Sequence, residues 1–172
     1  MDNRKKIDNK GFTLVEMLVV VAIIAVVTGI FALGYSLVST KYVDQCAKRI
    51  QMSLESSRTT TMGKLDAYLH FYTYNGKIVV SKNIVTATGT NTTVSELGGN
   101  NLSVKYVVVD GASSSEHSLG STALEIKFDR ASGSLKPYSG GGYVSEFIVT
   151  NTSGTKTLHV KIDKLTGRVT VE

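Results

Sequence analysis

A single carboxylate, Glu16, stands at the beginning of a long apolar stretch. Residues Met17–Val38 number 22 and include no charged side chain. A carboxylate that enters an apolar environment is costly, and an ionisable residue in such a segment is a functional candidate whose partner must be named. Glu16 is therefore a candidate for a functional role, and its partner has to be identified.

The apolar stretch is long enough to cross a bilayer. A helix of this length measures roughly 33 Å, against a hydrocarbon core of about 30 Å. Four basic residues precede it: Arg4, Lys5, Lys6 and Lys10. Because positive charge before a first apolar helix holds that end in the cytoplasm, we expect a single-pass segment in the cytoplasmic (inner) membrane with a cytoplasmic N-terminus. Glu16 in the lipid headgroup layer, where it costs little, is the alternative to a functional role.

The residues around Gly11 resemble the prepilin leader of type IV pilins and type II secretion pseudopilins. The matching residues are Gly11, Phe12, Thr13, Leu14 and Glu16, with a basic leader before them and the apolar helix after them. An ordinary secretory signal has a shorter apolar region, of about 7–15 residues, and its cleavage site follows that region. The alternative hypothesis is a plain single-pass anchor that happens to carry these residues.

The resemblance implies two processing steps and a role in assembly. A prepilin peptidase would cut between Gly11 and Phe12, and the new amino terminus of Phe12 would be methylated. Glu16 would pair with the Phe12 amine of a neighbouring subunit. The implied partners are therefore the prepilin peptidase, other pilin or pseudopilin subunits and the cytoplasmic membrane, with the mature form in a pilus or pseudopilus at the cell exterior.

The remaining residues do not predict an enzyme. His70, His117 and His159 are scattered, and none has a metal-ligand spacing to another histidine or to Cys46. The sequence contains no nucleophile elbow, phosphate loop, dinucleotide fingerprint or calcium-loop pattern. We therefore expect no catalytic residue, no metal and no cofactor. A single cysteine forms no intrachain disulfide, and its place on a helix predicts a small buried apolar side chain.

The charge balance is compatible with DNA binding but does not require it. The formal charge is +5, of which residues 1–11 contribute +2. Basic residues gather in the last third of the chain, but Asp129, Glu146 and Asp163 lie among them. A nucleic-acid interface needs cations clustered on one face. A solvated face is thus the preferred interpretation, and a DNA-uptake (competence) pilin is an alternative function.

One long helix is expected to position the N-terminal residues. Beyond Val38 the residues Val43, Ala47, Ile50 and Leu54 follow a helical period and form one apolar stripe. Gly63 is the predicted stop. The predicted division of the chain is a leader, a transmembrane and assembly helix, an amphipathic continuation and a globular antiparallel β domain, at 1–11, 12–40, 41–63 and 64–172.

From Leu65 onward the pattern changes to that of β-strands. Tyrosine and histidine residues from Tyr68 to Tyr74 alternate with other side chains, and Asn75-Gly76 predicts a hairpin turn. Further strands are predicted at 77–80, 102–109, 123–128, 133–135, 143–150, 158–162 and 169–171. Residues 86–101 and 111–121 are predicted as loops. The expected fold is α+β, with a long N-terminal helix packed on an antiparallel β domain of two sheets.

The C-terminal half resembles the minor pseudopilins of the H class. Phe128 precedes a turn with Gly133, and the chain closes with Gly167-Arg168-Val169. The same glycines also suit the hairpin turns of any β domain. Many major pilins carry a proline in the apolar helix and a terminal cysteine pair, and both are missing here. The prediction is therefore a minor pilin or pseudopilin of a pilus, secretion or competence system, and a non-assembling membrane-anchored β domain is a further hypothesis.

Overall fold

The structure is a computed structural model that describes residues 12–63 and 65–172, with the backbone alone at 30–39. These residues form one α-helix and nine β-strands. Their bounds are α1 Leu14–Met62, β1 Asp66–Tyr74, β2 Lys77–Thr86, β3 Gly89–Gly98, β4 Leu102–Asp110, β5 Ser113–Ser118, β6 Leu124–Lys127, β7 Tyr143–Asn151, β8 Thr157–Ile162 and β9 Val169–Val171. The chain divides between Val38 and Ser39 into two compact units.

The first part of α1 is apolar on all sides. Side chains 14–29 are exposed, and Glu16 is the one charged residue among them. Thr28 Oγ1 donates a hydrogen bond to the Ile24 carbonyl oxygen, so its hydroxyl is satisfied within the helix. The predicted leader 1–11 lies outside the described residues, as do the side chains at 30–39 of the predicted membrane span 12–40. In the part of the chain that the structure describes, no helix combines the length and the apolar character needed to cross a membrane.

The second part of α1 buries one stripe of side chains. Val43, Ala47, Ile50 and Leu54 are fully buried, as their helical spacing predicts, and Cys46 lies in the same stripe. These residues belong to the hydrophobic core together with apolar side chains of both sheets. The helix ends at Met62, and the Gly63 N–H donates to the Thr59 carbonyl oxygen. The predicted end of the helix is thus confirmed.

Two antiparallel sheets form the rest of this unit. One has four strands in the order β3-β2-β1-β6, and the other has five in the order β5-β4-β7-β8-β9. Phe71 of β1 and Phe147 of β7 meet between the sheets, with ring centroids 4.9 Å apart. The Asn75-Gly76 turn joins β1 to β2 with φ values of 49° and 72°, the left-handed pair that a type I′ turn requires. The predicted α+β fold with two sheets is confirmed.

Two segments that the sequence predicts as loops contain strands. Strand β3 lies within 86–101 and β5 within 111–121, so both predictions are wrong. Each strand is at the edge of its sheet, and nearly all of its side chains are exposed. An edge strand without a buried face has no apolar alternation, so threonine- and serine-rich strands of this kind resemble loops in sequence. Residues 133–135, predicted as a strand, instead form an isolated bridge between Leu135 and Phe128.

Candidate processing and assembly site

Thr13 and Glu16 form a reciprocal capping box at the start of α1. The Thr13 hydroxyl oxygen accepts the Glu16 backbone N–H at 3.2 Å. Glu16 Oε2 in turn accepts the Thr13 backbone N–H and the Thr13 hydroxyl, each at 2.8 Å. Thr13 is therefore the N-cap and Glu16 the third helical residue, and together they satisfy N–H groups that a helix start leaves without partners.

The capping box gives Glu16 a local role that was not predicted. Its sequence signal is present, since a threonine followed three residues later by glutamate precedes an apolar run. The box also keeps the Glu16 carboxylate beside the helix start, one turn from Phe12. A carboxylate has about four acceptor positions, so the bonds to Thr13 leave capacity for a cation.

Of the three residues predicted for processing and assembly, Phe12 and Glu16 lie at the N-terminal end of the described chain. Gly11, on one side of the predicted cleavage bond, is outside the described residues. Phe12, on the other side, is 81% exposed, and Glu16 is exposed one turn further along. The predicted cation for Glu16 belongs to another subunit, so its pairing with the Phe12 amine stays a prediction.

The helix that follows the capping box presents a continuous apolar surface. Leu14 is 80% exposed, and the valines and isoleucines up to Val27 are at least 43% exposed. An exposed apolar area of this extent marks a surface that contacts a membrane or another protein. The small number of polar groups on it, with Thr28 bonded within the helix, suits either environment.

Two matching turns lie near the C-terminal end of α1. In each, the Oδ1 atom of an aspartate accepts three hydrogen bonds. Two come from the backbone N–H groups of the residues two and three positions further on, and the third comes from the hydroxyl of the residue three positions further on. The aspartate carbonyl also accepts the N–H of a glycine four residues on. The first turn is Asp129–Gly133 and the second is Asp163–Gly167. The hydrogen bonds from the backbone N–H groups are the main reason that the pKa of both carboxyl groups lies below its usual range. The hydrogen bonds from the serine and threonine hydroxyls are the next contribution.

The two turns contact each other through their glycines. A Cβ added to Gly167 would lie 2.0 Å from the Gly133 carbonyl oxygen. The same oxygen accepts a hydrogen bond from Arg58 Nε of α1 at 3.2 Å. The structure thus brings together Gly133 and Gly167, two residues of the H-class resemblance, and fixes both turns to the helix.

Four of the seven lysines and arginines in the last third lie within 4.0 Å of a carboxylate. Lys127 contacts Glu125 at 3.0 Å and Lys161 contacts Glu172 at 2.6 Å. Lys156, which lies between β7 and β8, donates to both carboxylate oxygens of Asp44 in α1, at 2.7 and 2.8 Å. Pairing of this kind reduces the charge that a basic face offers to phosphate. No contact on this part of the structure favours DNA binding over a solvated surface.

Cys46 is buried, as its position on the helix predicts. Its sulfur belongs to the hydrophobic core, and burial raises the pKa of the thiol to about 12. Since the thiolate is the reactive form, this cysteine is an apolar packing element. Among residues 12–63 and 65–172, no group of three or more histidine, cysteine, aspartate or glutamate side chains is arranged to hold a metal ion.

One family model matches the chain. It describes the prokaryotic N-terminal methylation motif and covers residues 7–32, which include Gly11, Phe12 and the capping box. Comparisons with curated proteins and with solved structures give no match, and the resemblance to the H class is not confirmed. The chain therefore carries a prepilin leader, consistent with a type IV pilin or pseudopilin that a prepilin peptidase processes and that assembles with other pilins.

Proposed function

We propose that this chain is a minor type IV pilin or pseudopilin, a structural subunit rather than an enzyme. It is inserted in the cytoplasmic membrane with its N-terminus in the cytoplasm. Prepilin peptidase cuts between Gly11 and Phe12, and methylated Phe12 begins the mature subunit. The proposal rests above all on one observation: the methylation motif leads directly into a capped helix whose apolar side chains are exposed on all sides.

The apolar helix provides the assembly mechanism. In the membrane it contacts lipid, and in a filament the helices of neighbouring subunits replace the lipid at little hydrophobic cost. Glu16 pairs with the Phe12 amine of a neighbour and sets the axial register, because a buried charge left without a partner is strongly unfavourable. Residues 12–40 are thus the membrane and assembly segment, 41–63 continue the helix, and 64–172 form the outward-facing β domain.

A minor subunit fits the chain better than a major one. The apolar segment contains no proline, and one cysteine provides no terminal disulfide. Glycine weakens a helix by about 1 kcal/mol where proline costs about 3 kcal/mol, so Gly29 does not replace a helix-melting proline. We expect the subunit at low stoichiometry in its filament.

Mass spectrometry of filaments sheared from the native host tests the proposal. The expected result is a peptide that begins at methylated Phe12, at a small fraction of the abundance of the main subunit. The variant Gly11→Ala is the control, since it should leave unprocessed precursor in the membrane. Wild-type protein that keeps residues 1–11 would contradict the proposal, and processed protein confined to the membrane would indicate a short pseudopilus.

Three variants separate helix capping from charge pairing at Glu16. Glu16→Gln keeps an acceptor for the Thr13 N–H, as capping boxes allow, but has no charge. Glu16→Ala removes both, and Thr13→Ala removes the cap and keeps the charge. If the charge drives assembly, the glutamine and alanine variants should be processed but poorly incorporated, whereas Thr13→Ala should be incorporated. Normal incorporation of Glu16→Gln would contradict the charge pairing and leave capping as the role of Glu16.

A further inference from the structure

The outer face of the four-stranded sheet carries a row of aromatic side chains. Successive side chains of a strand point to opposite faces, and Ala67, Leu69 and Phe71 of β1 are buried on the inner one. The residues that alternate with them, and the next two on the same face, form what we call the aromatic row: Tyr68, His70, Tyr72 and Tyr74. At ~6.7 Å for every second residue the row extends over about 20 Å.

The aromatic row lies beside small polar side chains of β2. Tyr68 is paired with Asn83 and His70 with Ser81, and directly paired residues share a face of the sheet. Asn83 and Ser81 are each only 6% exposed, whereas Tyr74 is 64% exposed. Tyr68, His70 and Tyr72 are half-buried, so part of each side chain in the row remains open to solvent.

The charges around the aromatic row neutralise one another. Lys77 contacts Glu96 at 2.8 Å and Lys127 contacts Glu125 at 3.0 Å. Glu125 also lies 3.4 Å from His70 Nε2. A surface that binds nucleic acid or another polyanion needs an excess of cations. The face around the row instead suits an uncharged partner.

One end of the aromatic row is concave. Next to Tyr68 lies a cavity of about 260 Å³, whose lining also includes Val85, Asp66 and two lysines, Lys127 and Lys136. Lys127 Nζ lies 5.0 Å from the centre of the Tyr68 ring. A linear ligand on the row would thus reach a recess with hydrogen-bonding groups at this end.

We propose that the aromatic row binds an uncharged glycan chain. A sugar ring has an apolar C–H face and a rim of hydroxyl groups. The aromatic rings provide the matching apolar surfaces, and the tyrosine hydroxyls and His70 provide donors and acceptors. The length of the row fits several sugar rings in a line, and the paired charges favour an uncharged polymer over an acidic one.

Binding of defined oligosaccharides to the full chain tests the proposal. The chain is purified in a detergent without a sugar headgroup and titrated with hexa-N-acetylchitohexaose, cellohexaose and, as the acidic comparison, hexagalacturonate. Tyrosine fluorescence reports binding, since the protein contains no tryptophan. We expect at least one uncharged hexasaccharide to bind and the acidic one to bind more weakly. No response to either uncharged glycan at about 1 mM, or equal binding of the acidic one, would overturn the proposal.

Matched tyrosine variants locate the site. Tyr72→Ala and Tyr74→Ala should each weaken binding by about ten-fold, whereas Tyr42→Ala, at an exposed position on α1, should leave it unchanged. Because Tyr74 is already exposed, its variant tests the row even if Tyr72→Ala does not fold. Equal weakening by Tyr42→Ala would overturn the proposal. So would self-association of the chain that requires Tyr74 without any glycan binding, since a second copy would then be the occupant.

Discussion

The carbonyl oxygen of Gly133 lies where a side chain at position 167 would begin. Only 2.0 Å would separate that oxygen from a Cβ on Gly167, and Gly167 has a φ of 65°. Arg58 donates to the same oxygen. The second turn therefore accepts neither a larger residue nor an ordinary right-handed backbone at this position, and the contact holds the C-terminal hairpin against the first turn.

Replacement of Gly167 by alanine should destabilise the β domain by about 2–4 kcal/mol, since a left-handed conformation and a backbone clash add together. Gly154→Ala is the matched control, because Gly154 has a φ of 67° but no atom within 4 Å of an added Cβ. It should cost about 1 kcal/mol. Urea unfolding of the full chain in detergent, followed by circular dichroism, measures both. Equal losses in the two variants would show that the contact with Gly133 contributes nothing.

The aspartates of the two turns should make stability depend on acidic pH. Hydrogen bonds from the backbone and hydroxyls lower the pKa of Asp129 and Asp163 in the folded chain. A carboxyl group of this kind stabilises the fold above its unfolded pKa of about 3.9, and the contribution is lost as the pH falls through the lower folded pKa.

As the pH falls from about 4 to the acidic limit of folding, the double variant Asp129→Asn/Asp163→Asn should therefore lose less free energy of unfolding than the wild type. The amide oxygens still accept the turn hydrogen bonds but no longer titrate. Urea midpoints measured across this range test the expectation, with Asp110→Asn at an exposed site as control. An unchanged slope in the double variant would exclude the turns as the source.

The second part of α1 should contribute to the stability of the β domain. Leu54 is fully buried in the shared core, whereas Met52 on the same helix is 65% exposed. Leu54→Ala should cost about 2–5 kcal/mol, and Met52→Ala within about 0.5 kcal/mol of zero. The unfolding of the sheets, followed by circular dichroism, provides the measurement. Sheets that unfold at the same urea concentration in both variants would refute this role of the helix.

Cys46 should resist thiol reagents in the folded chain. Burial raises the pKa of its thiol to about 12, so very little thiolate exists at neutral pH. Labelling by a disulfide reagent at pH 8 should be slow in the native chain and rapid in urea. A native rate equal to the unfolded rate would show that the side chain is accessible.

Sequence patterns predict those elements that bury one face. The stripe from Val43 to Leu54 predicted the continuation of α1, and the Asn75-Gly76 signal predicted the first hairpin. Strands β3 and β5 were missed because an edge strand exposed on both faces needs no apolar alternation. These strands pair with their neighbours mainly through backbone hydrogen bonds, which residues of almost any type can form. Their pairing is therefore hard to predict from side-chain types.

The candidate site was predicted in part. The leader pattern indicated Gly11, Phe12 and Glu16, and the family model supports the motif. The hydrogen bonds between Thr13 and Glu16 were missed because the glutamate was interpreted only as a charge facing an apolar environment. The contact between Gly133 and Gly167 was beyond sequence patterns altogether, since it depends on how two distant turns meet.

The inert state of Cys46 makes the wild-type chain a suitable background for site-specific labelling. It is the single cysteine of the sequence, so a second cysteine introduced on the solvent face would be the one that maleimide dyes modify. Position 165 suits such a change, because Leu165 is 77% exposed at the tip of the second turn. Subunits tagged there could be followed by fluorescence microscopy in living cells while the native thiol stays in place.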